Sequence, residues 1–159
     1  MYYKVAFIGD SYVGKTTLAK SLVGVFSHTK MTVGVNVLSL QFNDLKVVIF
    51  DLGGQRRFRF LTPLVLKGSR IVCYIFDVTR PSTLYSLESF SNYASLTTRH
   101  AILVGNKVDL GLKVTRDEVE RVAKRLGVRR VFYTSAIKGC GVNELKTYIV
   151  ESLQREERN

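Results

Sequence analysis

Eight residues constrain this chain more than any others: Gly9-Asp10-Ser11-Tyr12-Val13-Gly14-Lys15-Thr16. They follow the apolar run Val5 to Ile8 and precede a stretch with helical spacing, Leu18 to Val23. Two glycines, then a lysine and a hydroxyl residue, between a strand and a helix, form the P-loop pattern. Its glycines let backbone N–H groups curl around phosphate oxygens, its lysine reaches the β and γ oxygens, and its hydroxyl suits Mg²⁺. The N-terminus of the following helix adds partial positive charge behind the anion. Gly9 to Thr16, together with Thr17, are therefore the candidate phosphate-binding residues, and Thr16 is a candidate metal ligand.

Composition narrows what surrounds this loop. A chain of 159 residues is one domain's worth, so a single domain over 1–159 is expected. Two cysteines, Cys73 and Cys140, are too few for a disulfide scaffold and lack zinc-site spacing. No apolar run approaches the roughly 18 residues of a membrane helix. Twenty-four Lys and Arg against thirteen Asp and Glu leave a net charge of +11, which favours polyanionic neighbours without choosing among them.

Short β-rich runs alternate with amphipathic stretches: Tyr2 to Ile8, Val35 to Phe42, Leu45 to Phe50, Ile71 to Asp77, Ala101 to Val104 and Arg130 to Tyr133. Asn43 and Asp44 form a two-residue connection, so the second and third runs should pair antiparallel. The remaining connections contain helical patterns, which implies parallel strands with helices on both faces. Thr115 and Glu118 predict a capping box, and Gly127 a helix stop. Leu145, Tyr148, Ile149 and Leu153 predict a last amphipathic helix running into a ragged polar end, Arg155 to Asn159. The expected fold is a three-layer P-loop NTPase: a six-stranded, mostly parallel sheet with one antiparallel strand, Val35 to Phe42.

A P-loop alone specifies only a nucleoside triphosphate. Asn106-Lys107-Val108-Asp109 lies just past the run Ala101 to Val104, at the strand end where such sheets bind ligands. A carboxylate has acceptors only, and guanine offers it two adjacent donors, whereas adenine presents an amine beside a bare nitrogen. Asp109 is thus placed to select guanine, since a mispaired buried carboxylate costs at least about 1–3 kcal/mol. Thr134-Ser135-Ala136 follows the last strand, where a backbone N–H of a small residue can donate to the guanine carbonyl while Lys107 lies along the ring. Asn106, Lys107, Asp109, Ser135 and Ala136 are the candidate base-binding residues.

At this point the chain resembles the Ras-like small GTPases along essentially its whole length. Asp51-Leu52-Gly53-Gly54-Gln55 is similar to their Asp-x-x-Gly-Gln segment. The resemblance implies that Asp51 holds Mg²⁺ through water, that the Gly54 N–H meets the γ-phosphate, and that Gln55 orients the attacking water. Thr32-Val33-Gly34-Val35 resembles the Rab form of the first switch, which implies Thr32 as a metal ligand and γ-phosphate contact; Thr29 is the rival. Phe26 sits near the place where relatives set an aromatic against guanine, and a simple core contact is an equal reading. Gln55, Lys15, Thr32 and Gly54 are then the expected catalytic set, with GTP as substrate, GDP as product and Mg²⁺ as cofactor.

Departures stand beside the matches. Arg56, Arg57 and Arg59 follow Gln55 where Rab and Ras proteins begin with a glutamate, and the Gly53-Gly54 pair is more like Arf and Gα subunits. Tyr12 occupies a position that is usually small: its bulk either obstructs an incoming arginine or points to solvent. Phe58, Phe60 and Leu61 either form a partner surface or pack inward. The end from Gln154 to Asn159 holds no cysteine and Tyr2 stands where myristoylation needs glycine, so no lipid anchor is expected, and any contact with an anionic membrane rests on charge. A compact bacterial or archaeal relative, monomeric and cytoplasmic, is the expectation. Regulators and effectors should meet the segments around Thr32 and Gln55. Two alternatives stay open: a nucleotide-holding interaction scaffold with little hydrolysis, and an RNA- or ribosome-associated GTPase, though no appended RNA-binding segment is present.

Overall fold

Apolar residues at alternate positions give each central strand two buried faces. Val5 and Phe7 point into one apolar cluster and Ala6 and Ile8 into another, and every residue from Ile71 to Asp77 is buried. Such strands need helices on both sides. The computed structural model describes residues 2–24, 29–96 and 100–159, with the backbone alone for 29–32 and 94–96. Its strands are β1 (Tyr2–Ile8), β2 (Thr29–Thr32), β3 (Val35–Phe42), β4 (Leu45–Leu52), β5 (Ile71–Asp77), β6 (His100–Asn106) and β7 (Arg130–Thr134). Its α-helices are α1 (Lys15–Val23), α2 (Thr62–Leu66), α3 (Pro81–Tyr85), α4 (Arg116–Leu126) and α5 (Val142–Glu157). Among the described residues there are also three 3₁₀ segments, Arg56–Leu61, Ser86–Leu96 and Val108–Leu110.

The sheet order is β2-β3-β4-β1-β5-β6-β7. β1, β4, β5, β6 and β7 are parallel, and β3 is antiparallel to both of its neighbours. All six expected strands are present, and β3 is the one that runs against the rest. The structure adds a seventh, β2, whose four residues extend the edge by pairing Thr32 with Val35 across a tight turn. The connection from β1 leads to one side of the sheet and β5 lies on the other, so the carboxyl end of β1 is a topological switch point, where open sheets bind ligands.

α1 and α5 cover one face through Leu18, Leu22, Leu145, Ile149 and Leu153. α2, α3 and α4 cover the other through Val65, Leu66, Leu84, Val119, Val122 and Leu126. Each fully buried aliphatic side chain contributes about 1.5–3 kcal/mol relative to exposure. The capping box forms as expected: Thr115 Oγ1 accepts from the Glu118 N–H at 3.2 Å, and Glu118 Oε2 accepts from the Thr115 N–H at 2.7 Å. The polar end is more ordered than its composition suggests, since α5 continues through Glu157. Leu153 is fully buried, and Glu151 and Arg155 form an i,i+4 pair that supports this last turn. Cys73 is a core thiol whose pKa burial pushes up, and Cys140 is exposed.

Candidate nucleotide-binding site

The loop between β1 and α1 is shaped by its carbonyls. Asp10 O accepts from Lys15 Nζ at 3.0 Å, Ser11 O from Arg80 Nη2 at 3.0 Å, Tyr12 O from Lys107 Nζ at 2.6 Å and Val13 O from Asn106 Nδ2 at 3.0 Å. In a trans peptide the carbonyl and the next N–H point in opposite directions. Four successive carbonyls are taken up by side-chain donors, and the N–H of each of these peptides points away from its own carbonyl, an arrangement that suits an anion nest. Gly14 is required twice: its φ is +92°, and a Cβ there would lie 2.4 Å from Asn106 Nδ2. The Asp10 side chain serves the protein instead, accepting from Ser86 Oγ at 2.7 Å and lying 3.9 Å from Arg59 Nη2.

On one side of the loop a cavity of about 480 Å³ is lined by Ser11, Lys15, Thr16, Asp51, Gly54 and Gln55, among others. Lys15 is 6% exposed; burial lowers its pKa, while Asp51 and Asp10 act in the opposite direction. Burial raises the Asp51 pKa, against the hydrogen bond from Thr16 and the charge of Lys15. Thr16 Oγ1 donates to Asp51 Oδ2 at 2.5 Å. A hydroxyl and a single buried carboxylate, both hard oxygen donors beside a phosphate nest, fit Mg²⁺, which keeps several waters and takes few protein ligands. The strand ends from β3 and β4 meet here: the Gly53 N–H donates to Gly34 O at 2.7 Å, and a Cβ on Gly54 would lie 2.2 Å from Ser11 N. Phe58 packs beneath Gly34 and Gly53, and Leu61 also turns inward, whereas Phe60 is 76% exposed. Thr32 and Thr29 lie on β2, but their side chains, like the whole of Phe26, lie outside the described residues.

On the other side a cavity of about 350 Å³ is lined by Gly14, Thr17, Asn106, Lys107, Asp109, Ser135 and Ala136. Asn106, at the end of β6 and 2% exposed, ties three segments together. Its Oδ1 accepts from Thr134 Oγ1 at 3.0 Å and from the Ala136 N–H at 3.1 Å, while its Nδ2 reaches the loop. The Ser135 N–H donates to Cys140 O at 2.9 Å. The backbone N–H groups expected to face a base carbonyl at Ser135 and Ala136 are thus turned to protein acceptors in this structure. Asp109 stands exposed at the rim, carried by the 3₁₀ turn Val108–Leu110.

Two contributors, Asp77 and Arg80, belong to no motif of the sequence. Asp77, at the end of β5, accepts from the Thr79 N–H at 2.9 Å, from Arg80 Nε at 3.1 Å and from Lys107 Nζ at 3.2 Å. Burial alone would raise its pKa, but these bonds outweigh it and hold the carboxylate below its usual range. Asp77 thereby aims Lys107 and Arg80 at two of the loop's carbonyls. A charged residue closing an otherwise apolar strand is the one hint the sequence carried.

Comparison with known proteins agrees with this geometry. The Ras family model matches residues 4–155. The chain is 34% identical to the putative ras-related protein Rab-5B of Dictyostelium discoideum, over 95% of this chain and 75% of that protein. It is 35% identical to septum-promoting GTP-binding protein 1 of Schizosaccharomyces pombe, over 85% and 70%. It is 30% identical to human Ras-related protein Rab-7L1, over 96% and 83%. A hydrolytic switch is better supported by these relatives than a scaffold or an RNA-associated protein. Among the described residues no helix is long and apolar enough to cross a membrane. With its P-loop, its Asn-Lys-x-Asp element and its Gly-Gly-Gln segment around one crevice, the chain belongs to the Ras family, and it is a small GTPase that binds and hydrolyses GTP.

Proposed function

We propose that GTP lies across both cavities, its triphosphate in the nest of residues Gly9 to Thr17 and its base against Asn106, Lys107, Asp109, Ser135 and Ala136. The observation that carries this reading is the pair of cavities meeting at the Ser11–Gly14 loop, one bearing a buried ammonium and the other an exposed carboxylate. Lys15 neutralises charge on the β and γ oxygens, and Asp109 accepts from the ring N–H and exocyclic amine of guanine. Thr16 and Asp51, joined by Thr32, would hold Mg²⁺. Bound there, the ion offsets charge that develops between the β- and γ-phosphates.

Gln55, at the start of the Arg56–Leu61 segment, orients a water in line with the γ-phosphate, and the Gly54 N–H steadies that phosphate. Loss of the γ-phosphate frees the segments around Thr32 and Gln55, which regulators and effectors read. The chain acts as a single domain over 1–159, a monomer, in the cytoplasm where GTP is supplied and its two free cysteines stay reduced.

Single-turnover hydrolysis with Mg²⁺ tests the reading. Unaided turnover is expected on the order of 10⁻⁴ to 10⁻² per second. Gln55→Ala is expected to slow it by roughly 10²-fold, the cost of misplacing a reacting group. An unchanged rate would overturn the assignment of Gln55.

A further inference from the structure

Tyr12 is costly where it stands. Its φ is +65°, a left-handed conformation that ordinary side chains adopt only under strain, and the residue is 83% exposed to water. Glycine, asparagine or aspartate would hold the same turn with less strain. Yet the position of this residue is closely controlled. Its own carbonyl is held by Lys107, that of Ser11 by Arg80 and that of Val13 by Asn106, so the point from which the ring departs is fixed on both sides. Tyr12 also lines both cavities, the one beside Lys15 and the one beside Asp109. At the rim of the second cavity two more apolar side chains stand in solvent, Leu110 at 64% and Ile137 at 79% exposure.

A ligand that occupies both cavities passes Tyr12, which borders both, between its base and its phosphates, where a nucleotide carries its ribose. We propose that Tyr12 is a clasp on the bound nucleotide: its ring packs over the ribose and the start of the diphosphate, and slows release. The inference rests on the reading of the two cavities given above and adds to it a residue that governs how long the nucleotide stays. The apolar ring face left in water by the free loop is the surface that the ligand covers. A tenfold change in release corresponds to about 1.4 kcal/mol, which covering roughly 50–60 Å² of apolar ring surface supplies.

The test is release of tritiated GDP, chased with excess unlabelled GDP, from the unsubstituted protein and from Tyr12→Asn, Tyr12→Gly and Tyr12→Phe. Asparagine and glycine both accept the left-handed turn, so the loop is retained while the ring is lost. Tyr12→Asn and Tyr12→Gly are expected to release GDP about tenfold faster, and Tyr12→Phe to stay within about twofold of the unsubstituted protein. Acceleration by glycine alone would assign the effect to loop slack and overturn the clasp. Equal release from all four proteins would overturn it while leaving the nucleotide site intact. If the unsubstituted protein holds no GDP, the nucleotide reading and the clasp fall together.

Discussion

Asn106 and Gln55 line the two cavities that meet at the Ser11–Gly14 loop, but they are supported in opposite ways. Asn106 is 2% exposed and bonded to Val13, Thr134 and Ala136, which come from two stretches of the chain far from it in sequence. Gln55 is exposed and opens a 3₁₀ segment, Arg56–Leu61, in which none of the six side chains is buried. Beyond it, Phe60 at 76% and Leu64 at 65% exposure stand in solvent, as does Val33 across the cavity at 83%. Segments with few buried contacts open and rearrange at low free-energy cost, whereas those tied into the core move only with global unfolding. On the reading proposed above, the base side is thus built to be constant, and the γ-phosphate side to respond to what is bound.

Four substitutions sharpen or break that contrast. The largest effect is expected from Asn106→Ala, which strands Val13 O, Thr134 Oγ1 and the Ala136 N–H together. At about 1–3 kcal/mol for each stranded group, unfolding in denaturant should show a loss of about 3 kcal/mol or more. A loss under about 1 kcal/mol would mean the base side is not the rigid one. Next, Asp109→Asn should lower GTP affinity tenfold or more and favour the xanthine nucleotide, because an amide can donate where the carboxylate cannot. Competition between GTP and XTP reads this directly, and stability should shift by less than about 0.5 kcal/mol for so exposed a side chain.

A smaller effect follows from Asp77→Asn, which weakens the charged tether of Lys107 and Arg80 by about 1 kcal/mol at neutral pH. The folded carboxylate titrates below its unfolded value, so its stabilisation is fully present above about pH 4 and is lost as the pH falls through the lower, folded value. The variant and the parent should therefore converge in acid, and a gap that widens there would reverse the assignment. Least of all, Phe60→Ala should change unfolding free energy by no more than about 0.5 kcal/mol. A cost of 2 kcal/mol or so would show that the responsive side is packed after all.

Some elements of this molecule were legible before any coordinates. The capping box at Thr115 and Glu118 depends on residues three apart, and both of its bonds form. The hairpin at Asn43 and Asp44 depends on a two-residue turn, and Phe42 pairs with Leu45 across it. The runs that became β1, β3 and β5 match their strands end to end, because period and turn chemistry are local. β2 was not legible: four residues make an edge strand only because β3 offers a partner, and no periodicity encodes a partner. Within the site, the Gly-Lys-Thr and Asn-Lys-x-Asp elements were visible as motifs. The part of Arg80 was not, since it bonds Ser11 from 69 residues away.

The order of residues by itself determined six of the strands, the Gly-Lys-Thr motif and the Asn-Lys-x-Asp motif with its carboxylate, because each depends on spacings of a few residues. Tertiary structure decided which donor holds each carbonyl of that loop, which of Phe58, Phe60 and Leu61 turns outward, and that one tyrosine borders both cavities. Those outcomes depend on which distant segments the packed sheet brings within about 3 Å of one another, the reach of a hydrogen bond.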